Sequence, residues 1–299
     1  MKKSPLGEVA AILPPGLADS LKELTADSLP LVEELRLRRG FPMTAVILDQ
    51  EHPLGKRPIT ESDLRSVLEG ASQASAHTVL EQVKNGFVTL RGGHRMGLCG
   101  SVSRREGGIA AMRYLSSLSI RIAHAVEGQA VDLLPDLIGE GQFLSTLVIG
   151  APGSGKTTLL RELIHILSDG CGITPQRVSV VDERGEIAAM WNGEAQFYVG
   201  RQTDILDGCP KAEGMALMLR AMNPNILAVD EITHPADVAA IIEAAGCGTE
   251  LLATAHGRSL ADLRRRPIYR TLLDEHVFQR AVILTHDKGR RSAEVEVIQ

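Results

Sequence analysis

Gly150-Ala151-Pro152-Gly153-Ser154-Gly155-Lys156-Thr157 stands between a short apolar run, Leu144–Ile149, and a helically spaced one, Thr157–Leu167, which Ser168-Asp169-Gly170 stops. The octet satisfies G-x-x-x-x-G-K-[ST] in the context that motif requires, with a strand before it and a helix after it. Glycines let such a loop wrap so that successive N–H groups converge on phosphate oxygens, and the helix N-terminus adds its positive end. In that geometry Lys156 would reach the β- and γ-phosphates of a nucleotide and the Thr157 hydroxyl would ligate Mg²⁺. Gly150, Ala151, Pro152, Gly153, Ser154, Gly155 and Thr158 would complete the cradle.

Moving outward, the chain from residue 143 to 299 alternates strand and helix: Arg177–Val181, Met215–Met222, Ile226–Val229, Pro235–Ala245 and Glu250–Thr254. Short, all-apolar strands separated by helices predict an α/β fold with a parallel sheet covered on both faces. Two of these strands end in acid pairs. Ile226-Leu227-Ala228-Val229-Asp230-Glu231 reads as a Walker B element, with Asp230 on the metal through water and Glu231 polarising the attacking water. Val178-Ser179-Val180-Val181-Asp182-Glu183 has the same form, so Glu183 and Glu231 are equal candidates for the catalytic base. Thr254-Ala255-His256-Gly257 places His256 where a polar tip would sense the γ-phosphate. The long segment holding Gly200–Asp204 and Cys209-Pro210-Lys211 reads as a loop, and Leu263–Pro267 as a basic, solvated or subunit-contact surface. No N-K-x-D motif follows the loop, which favours ATP over a guanine nucleotide.

Residues 1–125 predict a smaller mixed α/β domain. Glu34–Arg38 alternates as a half-buried strand and turns at Arg39-Gly40-Phe41-Pro42 into Thr44–Leu48. Thr60–Gln73 has helical spacing, and Gly86–Leu90 with Arg95–Val102 forms a hairpin around Gly92-Gly93. Residues 126–142, with Gly128, Gly139 and Gly141, read as the linker. Net charge is −5 and only nine residues are aromatic, so a strongly basic nucleic-acid binder or a base-stacking platform is disfavoured. No apolar run reaches membrane-span length, and Met1-Lys2-Lys3-Ser4-Pro5 is not followed by the apolar core of a signal peptide, so the expected location is cytoplasmic. The four cysteines form no C-x-x-C pair and are expected to be reduced and mostly buried; His77, His94 and His165 read as structural or surface residues.

Several blocks together resemble the stage III sporulation protein AA family of endospore-forming bacteria, from about residue 30 to the end: Glu34–Arg38, Gly86–Val102, Ile120–Ala123, Gly150–Thr158, Val181–Glu186, Thr203–Gly214, Asn223–Glu231, Ala253–Gly257 and Phe278–Leu284. That family is similar to the hexameric ATPases of type II and type IV secretion systems. The resemblance implies a RecA-like P-loop core, an N-terminal domain that rearranges against it, ATP and Mg²⁺ as cofactors, and a homo-hexameric ring. It also implies work on membrane-embedded sporulation channel proteins, reached through protein contacts without lipid insertion. It matches Asp182-Glu183 to the aspartate box and His256 to the histidine box. Secretion ATPases usually carry Gly-Glu where this chain has Asp230-Glu231, and their zinc-binding cysteines are missing here. Arg95, Arg113 and Arg121 are candidates for an arginine acting in a neighbouring subunit. Two other readings share the loop: a nucleic-acid-stimulated motor or helicase loader, and an ATP-dependent assembly switch with little turnover.

Overall fold

The computed structural model describes residues 5–71, 86–105, 108–123, 130–287 and 290–298. Its contacts divide the chain into two compact units, Met1–His124 with Ala189–Gln196, and Ala125–Ala188 with Phe197–Gln299.

The first unit is built on an antiparallel sheet of six strands: β1 (Val32–Arg38), β2 (Met43–Ile47), β3 (Gln50–Leu54), β4 (Phe87–Thr89), β5 (Arg95–Arg105) and β6 (Gly108–Arg121), in the order β3-β2-β1-β6-β5-β4. The alternation in Glu34–Arg38 does what it predicts: Leu35 and Leu37 point into the core while Arg36 and Arg38 stay outside. On that outer face Arg38 forks onto Glu51 at 2.6 and 2.7 Å. The Gly92-Gly93 hairpin is present, with Phe87 opposite Gly97 and Thr89 opposite Arg95. The helix Glu61–Ala71 packs on the sheet; its first turn is closed by Asp63, which accepts from the Thr60 amide at 2.8 Å while Thr60 Oγ1 accepts from the Asp63 amide at 3.2 Å. Its expected extension to Gln73, like His77, lies outside the described residues.

In the second unit, the stretch 126–142 read as a linker contains the helix Ala130–Leu133, a 3-10 turn at Leu134–Leu137 and the two-residue ladder of β7 (Ile138–Gly139) with β8 (Gln142–Phe143). The parallel sheet follows with β9 (Thr146–Gly150) and β10 (Val178–Asp182). A small hairpin, β11 (Met190–Trp191) and β12 (Glu194–Ala195), belongs to the first unit, where Gln196 Oε1 accepts from the Gly92 amide at 2.9 Å. The chain returns through β13 (Thr203–Asp207), β14 (Ile226–Val229), β15 (Glu250–His256), β16 (Arg280–Asp287) and β17 (Arg290–Val297). The sheet order is β13-β10-β14-β15-β9-β16-β17, parallel except for the last pair. Every residue of β9, β10 and β14 is buried, as the all-apolar runs require of central strands.

Two expectations are corrected here. The segment from Gly200 to Lys211 is not simply a loop: Thr203–Asp207 is an edge strand beside β10, and Lys211 opens the helix Lys211–Met222. The cysteines are free thiols, but Cys99, Cys171 and Cys247 are exposed and Cys209 is half-buried. Cys171 and Cys247 sit just past helix C-termini, where the chain turns at the surface.

The helix Lys211–Met222 lies close on β10 because Gly214 faces it: a Cβ there would come within 2.5 Å of Val181 Cγ1 and 3.2 Å of Leu206 Cδ2. Alanine would gain about 1 kcal/mol of helix propensity, but Val181 is fully buried and stiff at χ1, so it cannot step aside. Gly214→Ala is therefore expected to destabilise by roughly 1–3 kcal/mol net of that gain, read from the denaturant midpoint; a variant as stable as the parent would contradict the close approach.

Candidate functional site

The loop Ala151–Gly155 leaves the C-terminal end of β9 and enters the helix Lys156–Asp169. Gly153 (φ 75°) and Gly155 (φ 99°) take the left-handed conformation that makes the wrap possible. Gly150 is glycine for space: a Cβ would stand 2.3 Å from Ser154 Oγ and 3.2 Å from Lys156 Cγ. No side chain caps the helix at Gly155, so its first amides remain available to an anion. Ser154 Oγ is buried without a hydrogen-bond partner among the described residues, an orphaned donor that a phosphate oxygen would satisfy. Lys156 folds back so that its ammonium donates to the Ala151 carbonyl at 3.0 Å. Burial holds that ammonium below its ordinary pKa, against the opposing pull of Glu231, Asp230 and Glu186.

Asp230 joins three elements. Its Oδ2 accepts from Thr157 Oγ1 at 3.1 Å, and its Oδ1 accepts from Thr254 Oγ1 at 2.6 Å and from the Glu231 amide at 2.9 Å. The Glu231 amide also donates to Thr254 Oγ1 at 2.9 Å. Thr254, fully buried on β15, is a site residue that the motifs do not mark; its one signal in the sequence is a polar side chain within the apolar run Leu251–Ala255. The carboxylate of Glu231 has no hydrogen bond or ion pair among the described residues and faces the same narrow cleft as Asp230 and Glu183.

Asp182 and Glu183 part company. Asp182 is buried, and its carboxylate accepts from the amides of Glu186 (2.8 Å), Ile187 (3.1 Å) and Ala188 (2.9 Å). Arg161, from the loop's own helix, donates to the carbonyls of Ile187 (2.6 Å) and Glu186 (2.8 Å) and stacks 3.8 Å over Phe197. Asp182 thus organises backbone, while Glu183 reaches the cleft and is ion-paired with Lys211, a buried lysine at the start of the helix Lys211–Met222.

His256 ends β15 directly opposite Gly150 in the parallel register, and its ring is exposed. Its carbonyl accepts from Arg266 at 2.6 Å, and Arg266 also binds Asp262 at 2.8 Å. Within the basic cluster Arg266 is tied into the structure by these bonds, while Arg264 and Arg265 are exposed. Arg95, Arg113 and Arg121 lie on β5 and β6 of the first unit, with Arg95 opposite Arg121. His94 is buried there and accepts from the Ala123 amide through Nδ1 at 3.0 Å.

Comparisons with known proteins bear on this geometry. A family model described as sporulation stage III, protein AA matches residues 6–298. The chain is 39% identical over 285 residues to stage III sporulation protein AA of Bacillus subtilis (strain 168), covering 95% of this chain and 92% of that one. Among solved structures, the Legionella pneumophila ATPase DotB is similar at a TM-score of 0.62 and 17% identity, covering 96% of this chain and 82% of that one. The pilus retraction motor PilT with bound ADP is similar at a TM-score of 0.60 and 16% identity, covering 91% and 81%. At such identities the likeness concerns the fold alone: a RecA-like α/β core with a mixed α/β N-terminal part.

Carboxylates crowd the C-terminal edge of this sheet, where Asp207 stands beside Asp182 in the register of β13 and β10. Partial desolvation of its carboxyl against the sheet and the neighbouring Asp182 push Asp207 up to about 6 from an ordinary 3.8, although the residue lies at the exposed edge. A raised carboxylate means that the folded state holds its proton more tightly than the unfolded chain does. Its contribution is then fully present below about pH 3.8 and lost as pH rises through about 6. Asp207→Asn is expected to raise the melting temperature at pH 7 by on the order of 1–3 °C, since solvent at the exposed edge screens much of the repulsion. The gain should vanish below pH 4, and a pH-independent difference between the two proteins would refute it.

Proposed function

The chain belongs to the sporulation stage III, protein AA family, and on that premise we propose that it is a Mg-dependent ATPase, a ring-forming motor that energises a secretion-like channel during sporulation. The observation that carries the reading is the joint placement of an uncapped, glycine-wrapped loop and a carboxylate, Asp230, bound to the hydroxyl of Thr157 at the start of that loop's helix. This is the donor set of an ATP site: loop amides and Lys156 for the phosphates, Thr157 and Asp230 for a hard cation that takes oxygen ligands. Magnesium, when bound, would neutralise charge on the phosphate oxygens.

The residues of the chain supply the remainder. Gly150 to Thr158 bind and orient the triphosphate, and Lys156 places its charge on the β- and γ-oxygens. In hydrolysis a water oxygen bonds to the γ-phosphorus, the bond from that phosphorus to the bridging oxygen of ADP breaks, and the proton of the water passes to a carboxylate. We assign that proton to Glu231, whose carboxylate has no hydrogen bond or ion pair among the described residues, and leave Glu183 as a second acceptor for the water. We assign the response to loss of the γ-phosphate to His256, which pairs with Gly150 in the register of β15 and β9. A cycle of binding and hydrolysis can alternate two conformations, and so do work, where binding alone cannot. We divide that work between residues 1–125, the linker 126–142 and the ATPase domain 143–299. One of Arg95, Arg113 and Arg121 is assigned to a neighbouring subunit's nucleotide. No helix among the described residues is long and apolar enough to cross a membrane, which supports a cytoplasmic, peripheral location with channel proteins as partners.

Lys156→Ala is expected to lower ATP turnover by ~100-fold or more, while Glu231→Gln should keep nucleotide binding and lose turnover by a similar factor. Undiminished phosphate release from Lys156→Ala would remove the site from this loop. Mass determination with a non-hydrolysable ATP analogue is expected to give a hexamer; a monomer with and without the analogue would sink the ring.

A further inference from the structure

Lys211 is 5% exposed, the first residue of the helix Lys211–Met222, and ion-paired with Glu183. Such a placement is unfavourable twice over. Burial removes the ammonium from water, and the N-terminus of a helix repels a cation. A residue chosen only to pack against β10 would be apolar, and one chosen to stabilise the helix start would be acidic. The lysine is accounted for by what it holds: Glu183, at the end of β10, whose side chain remains 39% exposed. The pair is lopsided, with its cation deep in the protein and its carboxylate at the mouth of the cleft that Asp230 and Glu231 also line. One oxygen, Oε2, is committed to Lys211, and no hydrogen bond engages Oε1 among the described residues.

We propose that Lys211 is a positioning residue for phosphate hydrolysis: it pins Glu183 so that the free carboxylate oxygen accepts a hydrogen bond from the attacking water while Glu231 takes the proton. The inference rests on the ATPase reading and deepens it. A carboxylate on a flexible side chain samples many rotamers, and a misplacement of about 1 Å can lower a rate ~100-fold. An ion pair to a side chain that is itself locked by packing removes that freedom. The anchor is rigid because Gly214, one helical turn on, seats the helix against Val181, the residue two before Glu183. Lys211 touches neither nucleotide nor water in this scheme and acts wholly through Glu183.

The test uses the full chain, with Lys211→Met, Lys211→Arg, Glu183→Gln and the double variant K211M/E183Q. For each, kcat is measured at saturating Mg-ATP, affinity with a fluorescent ADP analogue, and the melting temperature separately. Lys211→Met should lower kcat roughly 10- to 100-fold with ADP affinity within about threefold of the parent. Lys211→Arg, which can still reach Glu183 with a charge, should recover kcat to within about threefold. The double variant should turn over no more slowly than the poorer single, because both changes break one device. Parental turnover in Lys211→Met, multiplicative losses in the double variant, or equal losses in the Arg and Met variants would each overturn the positioning role. If Lys211→Met does not fold, Glu183→Gln and Lys211→Arg decide: the role requires a fall in kcat at constant affinity in the first and near-parental kcat in the second. A parent protein that neither binds nor turns over Mg-ATP overturns the ATPase reading itself, an outcome distinct from an active parent indifferent to Lys211.

Discussion

The carboxylate of Asp230 is the point on which the site depends. It ties the helix after the glycine loop, through Thr157, to the buried hydroxyl of Thr254 on β15. In a parallel sheet the strands β14, β15 and β9 all present their C-terminal ends on one edge, and loops leave that edge in different directions. A charge-assisted hydrogen-bond set across those ends fixes their relative heights. Without it the loop, the acid pair and His256 would share an edge but not a geometry.

A second network does similar work one strand further out. Asp182 absorbs three amides of the turn Glu186–Ala188, and Arg161 holds two carbonyls of the same turn from the other side. Burial lowers the pKa of Arg161, but its guanidinium is satisfied by those carbonyls and by the ring of Phe197. Glu183, flanked by this rigid turn and by Lys211, is held at the cleft by its neighbours rather than by its own rotamer preference. The result is a set of carboxylates, Asp182, Glu183 and Asp230, held by neighbouring groups at the C-terminal edge of the sheet beside the glycine loop, so that their charge is oriented by the fold itself.

Much of this was legible in the chain. Mostly apolar runs ending in Gly150, Asp182 and Asp230 announced central parallel strands, and the spacing of Gly150, Gly155, Lys156 and Thr157 announced the loop. The alternation in Glu34–Arg38 announced a sheet with one buried face. Thr203–Asp207 was not legible, because an edge strand is half exposed and this one is acidic near both ends, so its period resembles that of a loop. The cysteine expectation failed for a related reason: small thiols tolerate burial, but Cys171 and Cys247 occupy turns past helix ends, where backbone geometry sets exposure.

The sequence by itself determined which groups are available: a glycine loop between strand and helix, two acid pairs at strand ends and a histidine at the end of the strand Glu250–His256. Local chemistry suffices for that, since glycine conformational freedom, strand periodicity and helix spacing act over a few residues. Only the tertiary structure decided which partners those groups meet. Asp182 and Asp230 look alike in sequence, yet one is consumed by backbone amides and the other faces Thr157. Glu183 and Glu231 look alike too, yet one is held by a lysine 28 residues away and the other is left open to the cleft. Such assignments depend on which side chains burial brings together, and no local pattern in the chain encodes that.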